Sequence, residues 1–425
     1  MKILWFTNTP SLGAIHLNAK GIGGGWIESL EAEIVKSPEI ELGIVFKFPN
    51  TSVKEFIDGK TTYFPVNNKP AKGKFRKMFD RLSHRIVNEE YIPEYLRIIQ
   101  QFNPDIIHIF GTESDFGLIN YKISIPCIIH IQGNLNVISH KWYSGISLFS
   151  LLRYSKKTML LRGYGLIHDY IVCRKEAERE RIIYKACRYF MGRTDWDRRI
   201  ALVLSPGSSY YHCDELIQMP FHLSKWSFNT SKEYTIFSTI RSNIYKGLET
   251  IFESMELINQ NFPAQIIRWK IAGIKPEDEI ANILERKNKK RFSDINIQFL
   301  GSLQTDELIS ELQLANLFVH PTHADNSPNS LCEAMLLGMP VISTYAGGIP
   351  SLIDDKFEGL LIQDGDPFAL AGAIMELIND TEYAIKLGAN ARTRARKRHN
   401  PEAITNTVRS IYQAIVIQEN TGNVN

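Results

Sequence analysis

Long apolar runs are missing from this chain. No stretch of about 18 consecutive apolar residues occurs, the length a helix needs to cross a bilayer, so a spanning segment is not expected. Cysteine is scarce as well. The five thiols, Cys127, Cys173, Cys187, Cys213 and Cys332, are scattered, odd in number and form no C-x-x-C pair. That pattern argues against a disulfide framework and fits reduced thiols in a cytoplasmic protein. An excess of one charge is lacking too. The 49 basic and 46 acidic residues leave +3, which gives no global case for a nucleic-acid partner. The first residues carry one lysine and only the short apolar run Ile3–Phe6, which reads as a strand and not as a signal peptide. Low-complexity tracts are absent, and so are internal repeats beyond a doubled sheet pattern.

The composition that remains is that of a soluble globular protein, 44% hydrophobic and 22% charged. At 425 residues the chain is too long for one ordinary core, so two domains are expected. Short apolar runs alternate with helical patterns almost throughout, which implies α/β domains with parallel sheets and crossover helices. In the first half the runs are Ile3–Thr7, Leu42–Phe46, Ile106–Phe110, Cys127–Ile131 and Tyr189–Met191. In the second they are Thr235–Thr239, Ile267–Ala272, Ile295–Leu300, Leu317–His320, Pro340–Ser343 and Gly359–Ile362. Ser205–Asn229 has few periodic signals, and the linker is placed near Met219–Thr230. The expected domains are therefore 1–220 and 230–400, with a helical tail broken at Asn400-Pro401. Two such sheets would offer a cleft at their strand C-terminal edges, where ligands of open α/β sheets bind.

The most informative stretch runs from Asp325 to Pro340. It sets two carboxylates, Asp325 and Glu333, eight residues apart at the mouth of a short helix. Pro328 suits the first helical position and Gly338 the residue just past the end. Leu331, Ala334, Met335 and Gly338 follow the helical spacing and form the packed face, and Glu333 lies off it. The exposed N–H groups of Asn329, Ser330 and Leu331 would sit at the positive dipole end, where phosphate binds readily. A carboxylate beside them can hold sugar or ribose hydroxyls, so the pattern points to a nucleotide sugar. Arg241 and Lys246, five residues apart in a loop entering a helix, can straddle a diphosphate with no divalent metal. Alone, that pair would be ordinary surface charge.

Other motifs are weaker. Gly21-Ile-Gly23-Gly24-Gly25-Trp26 opens a helix at Trp26, and its glycines allow close backbone approach to a ligand. It is not a dinucleotide fingerprint: it lies too far from the first strand, and no clear acid ends the second. No nicotinamide or other cofactor is expected. Asp364-Gly-Asp366 could be read as a metal site, but Asp366 precedes Pro367 and reads as a helix N-cap. His320-Pro-Thr-His323 lacks helical spacing and partner ligands, so no metal is expected there. Lys69–Arg85 and Ile146–Arg162 are basic and amphipathic. Each suits either a solvated face or an anionic membrane surface. Arg392–Arg398 reads as a solvated helical face.

Taken in order, these motifs resemble the retaining glycosyltransferases of the GT-B fold, family 4 type. The resemblance is strong from about Tyr234 to Asp380 and weak in the first half. The family's paired acids, E-x7-E, correspond to Asp325 and Glu333. Its Arg and Lys correspond to Arg241 and Lys246, and its strand-end glycine to Gly273. Its next strand plus glycine corresponds to Phe299-Leu300-Gly301, and its Gly-Gly-x-Pro turn to Gly347–Pro350. The resemblance implies two Rossmann-like domains facing a cleft, the first binding acceptor and the second binding donor. It implies that the last helix, about 401–418, returns to the first domain. It places Gly23, Gly24 and Gly25 on the acceptor side with Gln132, where many members have a histidine. It implies sugar transfer with retention from a nucleoside-diphosphate-sugar to a glycan or lipid-linked hydroxyl, with Arg241, Lys246 and Asp325 serving catalysis. The departures are Asp325 for the usual Glu, Pro328 for a frequent Gly, Ser351 for a frequent acid, and Gln132. A nucleotide-sugar 2-epimerase and a binding subunit without turnover share the same architecture and stay open.

Overall fold

The structure is a computed structural model that describes residues 1–17, 25–49, 51–68 and 73–422. The chain divides into two compact units. The first comprises Met1–Asn136, Val172–Gln218 and His399–Asn425, and the second Val137–Ile171 and Met219–Arg398. The segment 137–171, inside the expected first domain, therefore clusters with the second unit. Among the described residues no helix is long and apolar enough to cross a membrane.

The first unit is built on an eight-stranded sheet. Its strands are β1 (Lys2–Thr7), β2 (Glu41–Phe48), β3 (Phe56–Asp58), β4 (Thr61–Asn67), β5 (Ile106–Phe110), β6 (Cys127–His130), β7 (Tyr189–Gly192) and β8 (Ser209–His212), in the order β3-β4-β2-β1-β5-β6-β7-β8. All pairs are parallel except β3 with β4. Alternate residues of β1 feed two cores. Ile3 and Trp5 pack with Trp26, Leu30, Val408 and Tyr412 on one face. Leu4 and Phe6 pack with Tyr95, Ile98 and Phe102 on the other. The last helix, Pro401–Gly422, starts where Asn400 Oδ1 accepts the Ala403 N–H at 2.9 Å. It docks through Tyr412, whose hydroxyl accepts from Trp5 Nε1 at 3.1 Å and meets His108 Nδ1.

The second unit carries six parallel strands, β9 (Tyr234–Thr239), β10 (Ile267–Ala272), β11 (Ile297–Gly301), β12 (Leu317–His320), β13 (Val341–Thr344) and β14 (Leu360–Ile362). Their order is β11-β10-β9-β12-β13-β14. The winding direction reverses between β9 and β12, so the loops after these two strands flank the topological switch point, where open α/β sheets bind ligands. The segment 137–171 is tied onto this unit by polar contacts. Lys141 Nζ meets Asp364 at 3.2 Å, the Leu166 N–H donates to Glu279 at 2.9 Å, and Arg286 donates to the Tyr154 carbonyl at 3.0 Å.

Candidate active site

The loops at the switch point of the second unit are locked to one another. Gly247 has φ +80°, and a side chain there would bring Cβ to 1.8 Å from the Pro321 carbonyl oxygen. Only glycine lets the loop after β9 approach the loop after β12 so closely. The Tyr245 carbonyl accepts from the His323 N–H at 2.9 Å and from Thr322 Oγ1 at 3.1 Å. A third loop joins at Asp325, whose carbonyl accepts the Gly348 N–H at 2.9 Å. Gly347, with φ +58°, would place a Cβ 1.8 Å from that same carbonyl oxygen. The Pro321–Asp325 loop is thus held by backbone between its two neighbours.

Its carboxylate is held by charge. Lys246 Nζ lies 2.5 Å and His320 Nε2 3.0 Å from Asp325 Oδ2. Burial alone would raise the Asp325 pKa, but Lys246 and His320 prevail and hold it well below the usual carboxylate range. Burial pushes His320 down, so the imidazole is neutral at pH 7 and can donate to Asp325. Arg241 differs from Lys246. Its side chain is exposed and makes no hydrogen bond or ion pair with any described residue, although its carbonyl accepts the Asn243 N–H at 2.7 Å.

The helix Asn329–Leu337 follows directly. Pro328 takes the N-cap place, one residue before the position expected for it, and Gly338 closes the helix. Leu331, Cys332, Ala334, Met335, Leu336 and Leu337 are all buried. Asn329, Ser330 and Glu333 are its only half-buried residues. Leu331 departs from expectation: its N–H donates to the Pro328 carbonyl at 3.0 Å and is withdrawn from the phosphate position. The N–H groups of Asn329 and Ser330 keep no such bond, as the first turn of a helix leaves them. Glu333 points off the packed face, as the spacing predicts. It bonds to no described residue, and burial alone pushes its pKa up to about 7.

The remaining residues divide into those near this center and those in the first unit. Gly273 packs at the base of the Arg241 loop, where a Cβ would come 2.4 Å from the Ile240 carbonyl oxygen, and its N–H donates to Gly301 at 2.7 Å. Its glycine is required by the protein's own backbone. In the first unit, Gly25 precedes the helix Trp26–Ile34 with φ +83°. Gly23 and Gly24 lie outside the described residues. Gln132 is half-buried, and its carbonyl accepts from Arg193 at 3.3 Å. The Arg193 guanidinium lies 5.3 Å over the Trp26 ring, which packs edge-on against His130 at 4.7 Å.

One network escaped the sequence reading. His323 bridges Glu249 at 2.6 Å and Asp364 at 3.2 Å, and Lys141 reaches Asp364 at 3.2 Å. Burial would lower the His323 pKa, but the two carboxylates outweigh it and raise it. The two histidines of His320-Pro-Thr-His323 thus each face a carboxylate. The signal was their position just before Asp325; what hid it was that Glu249, Asp364 and Lys141 are far off in sequence. Asp366 accepts the Ala369 N–H at 2.9 Å, the N-cap role its place before Pro367 predicts.

Two such sheets, with solved GT-B structures aligning along nearly the whole chain, give this protein the GT-B fold. Sucrose-phosphate synthase from Thermosynechococcus elongatus aligns over 98% of this chain and 100% of its own, with TM-score 0.71 and 16% identity. Anabaena HepE, solved in complex with UDP-glucose, aligns over 97% and 100%, with TM-score 0.64 and 13% identity. At these identities the likeness shows the fold alone. Residues 222–394 match the family model of glycosyl transferases group 1, so the resemblance to that family holds for the second unit. D-inositol 3-phosphate glycosyltransferase of Corynebacterium kroppenstedtii is 27% identical over 148 residues, 34% of this chain and 33% of that protein. Sulfoquinovosyl transferase SQD2 of Arabidopsis thaliana is 31% identical over 167 residues, 39% of this chain and 31% of that protein. The matched part spans less than half the length of these relatives.

Proposed function

We propose that this protein is a retaining glycosyltransferase that moves a sugar from a nucleoside-diphosphate-sugar to a glycan or lipid-linked hydroxyl. The single observation behind this reading is the set of groups at the switch point that no described residue satisfies: the cation of Arg241, the N–H groups of Asn329 and Ser330, and the carboxyl of Glu333. Two donors and a cation suit a diphosphate, and an acceptor within reach of the same helix end suits ribose hydroxyls. Arg241 and Lys246 would flank the diphosphate, and Asp325, positioned by Gly348, Lys246 and His320, would take sugar hydroxyls.

In the reaction the bond from the anomeric carbon to the diphosphate oxygen breaks and the bond to the acceptor oxygen forms. The acceptor's proton passes to the departing diphosphate. Negative charge develops on that diphosphate, where Arg241, Lys246 and the two N–H groups would act on the transition state. Those cations supply the charge that a divalent metal would otherwise supply, so transfer without metal is part of the reading. So is work on the cytoplasmic side of a membrane, where a lipid-linked acceptor would be met.

The test is incubation with a panel of nucleotide sugars, with and without glycan and lipid-linked acceptors, followed by mass and anomer analysis. Acceptor-dependent release of nucleoside diphosphate with a retained anomer supports the reading. Epimerised nucleotide sugar without acceptor would make the protein a 2-epimerase, and binding without turnover would make it a sugar-nucleotide-binding subunit.

A further inference from the structure

The helix Lys74–Leu82 in the first unit presents an apolar face to the outside. Phe75, Met78, Phe79 and Leu82 stand at i, i+3, i+4 and i+7, so they share one face, and they are 86%, 43%, 70% and 43% exposed. Arg76, Lys77 and Arg81 are exposed as well, and Asp80 is only half-buried. The segment is anchored at its C-terminal end, where Lys175 Nζ donates to the carbonyls of Ser83 at 2.7 Å and His84 at 2.9 Å. An isolated helix shorter than about 12 residues is marginal in water, and most helical stability comes from packing an apolar face. This nine-residue helix therefore needs something to cover it.

Charge says what kind of cover. At about 100° per residue, Arg76 and Arg81 fall on opposite flanks of the apolar face, each about 110° from its centre. The only acid on the helix, Asp80, is already approached by Arg85 at 3.8 Å. An apolar stripe edged by cations on both sides suits a flat surface that is apolar within and anionic at its rim. The second basic stretch differs in being packed on one side: Leu148, Phe149 and Leu152 are exposed, but its helix Leu148–Tyr154 buries Leu151, and the Tyr154 carbonyl accepts from Arg286.

We infer that Lys74–Leu82 docks the protein on the anionic surface of a lipid bilayer, with Phe75 and Phe79 inserted among the acyl chains and Arg76 and Arg81 on the headgroup phosphates. The helix lies in the first unit and the donor residues in the second, so vesicle binding and donor binding can be read separately. The full-length protein is sedimented with vesicles of phosphatidylcholine alone and of phosphatidylcholine with phosphatidylglycerol, at low and physiological salt. Binding is expected to the anionic vesicles only, and to weaken with salt. Each cation near such a surface contributes about 1 kcal/mol, so Arg76→Gln, Lys77→Gln and Arg81→Gln together should weaken partition on the order of 100-fold. Phe75→Ser with Phe79→Ser should lose at least as much. Because the replaced residues Phe75, Arg76, Lys77, Phe79 and Arg81 are exposed, both variants should unfold at the wild-type temperature and keep their thermal response to nucleoside diphosphates. Equal partition to neutral and anionic vesicles, partition to neither, or variants that bind like wild type would each overturn the inference. So would a wild-type dimer in sedimentation equilibrium that the phenylalanine variant loses while vesicle binding is absent, since the face would then cover a second copy.

Discussion

Glu333 should make donor affinity depend on pH. Its carboxyl is pushed up to about 7 by burial, with no cation beside it. Ribose hydroxyls donating to that carboxyl would favor the charged form and return the pKa toward the ordinary range. If it returns to about 4.3, affinity at pH 8 exceeds that at pH 5 by at most roughly 80-fold, about 2.6 kcal/mol. The sign for the free protein is opposite. Between about pH 4.3 and 7 the folded state binds more protons than the unfolded one, so stability falls as pH rises through this window, by about 3.7 kcal/mol at most. Glu333→Gln removes both effects: it should raise the melting temperature at pH 8 while lowering donor affinity and flattening its pH dependence. The assay is calorimetric titration with a nucleoside-diphosphate-sugar at pH 5 to 8 on both proteins. His323 also carries a raised pKa and titrates in both, so the difference between the two slopes isolates Glu333. Equal slopes in wild type and Glu333→Gln, or affinity that falls as pH rises in wild type alone, would refute the reasoning.

Arg241→Ala should weaken donor binding by roughly 1.5–3 kcal/mol at unchanged melting temperature, because the side chain is exposed and unpaired, and calorimetry with thermal unfolding checks both halves. Asp325→Asn should cost roughly 1–3 kcal/mol of stability, measured by denaturant unfolding, because it leaves Lys246 without its counter-charge. The folded pKa of Asp325 is depressed, so its stabilisation is present above about pH 4 and lost as pH falls below; acid unfolding of Asp325→Asn should begin from a lower plateau but be less steep. Gly347→Ala should destabilise strongly in the same assay, since a Cβ 1.8 Å from the Asp325 carbonyl forces the loops apart. Transfer should persist in excess EDTA, because Asp364 is engaged by His323 and Lys141 and Asp366 caps a helix; activity lost on chelation and restored by manganese would count against this.

The second unit was the more legible half. Its strands are short, mostly buried apart from the edge strand β11, and rich in β-branched residues, and each observed strand lies within a residue or two of an apolar run read from the sequence. The Asn329–Leu337 helix was readable because Pro and Gly mark its ends and local spacing sets Glu333 off the packed face; the burial of Cys332, Leu336 and Leu337 as well was not read from that spacing. What local pattern cannot supply is partnership at a distance. Lys246 with Asp325, and Glu249, Asp364 and Lys141 around His323, meet only once the sheet order sets their loops together. In the first unit β3, β4 and β8 went unread. β4 contains Pro65, which argues against a strand, and β8 lies in a stretch where alternation is weak. The grouping of 137–171 with the second unit was likewise invisible, because it rests on partners far apart in sequence, such as Lys141 with Asp364, Leu166 with Glu279 and Trp142 with Tyr245.

The central claim is that the switch point of the second unit is a nucleoside-diphosphate-sugar site. A crystal structure with a bound nucleoside diphosphate tests it most directly. The account predicts the diphosphate against Arg241 and the N–H groups of Asn329 and Ser330, the ribose hydroxyls on Glu333, and Lys246 turned from Asp325 toward phosphate. A nucleotide bound elsewhere, or one bound with Glu333 and Arg241 still free of it, would contradict the account.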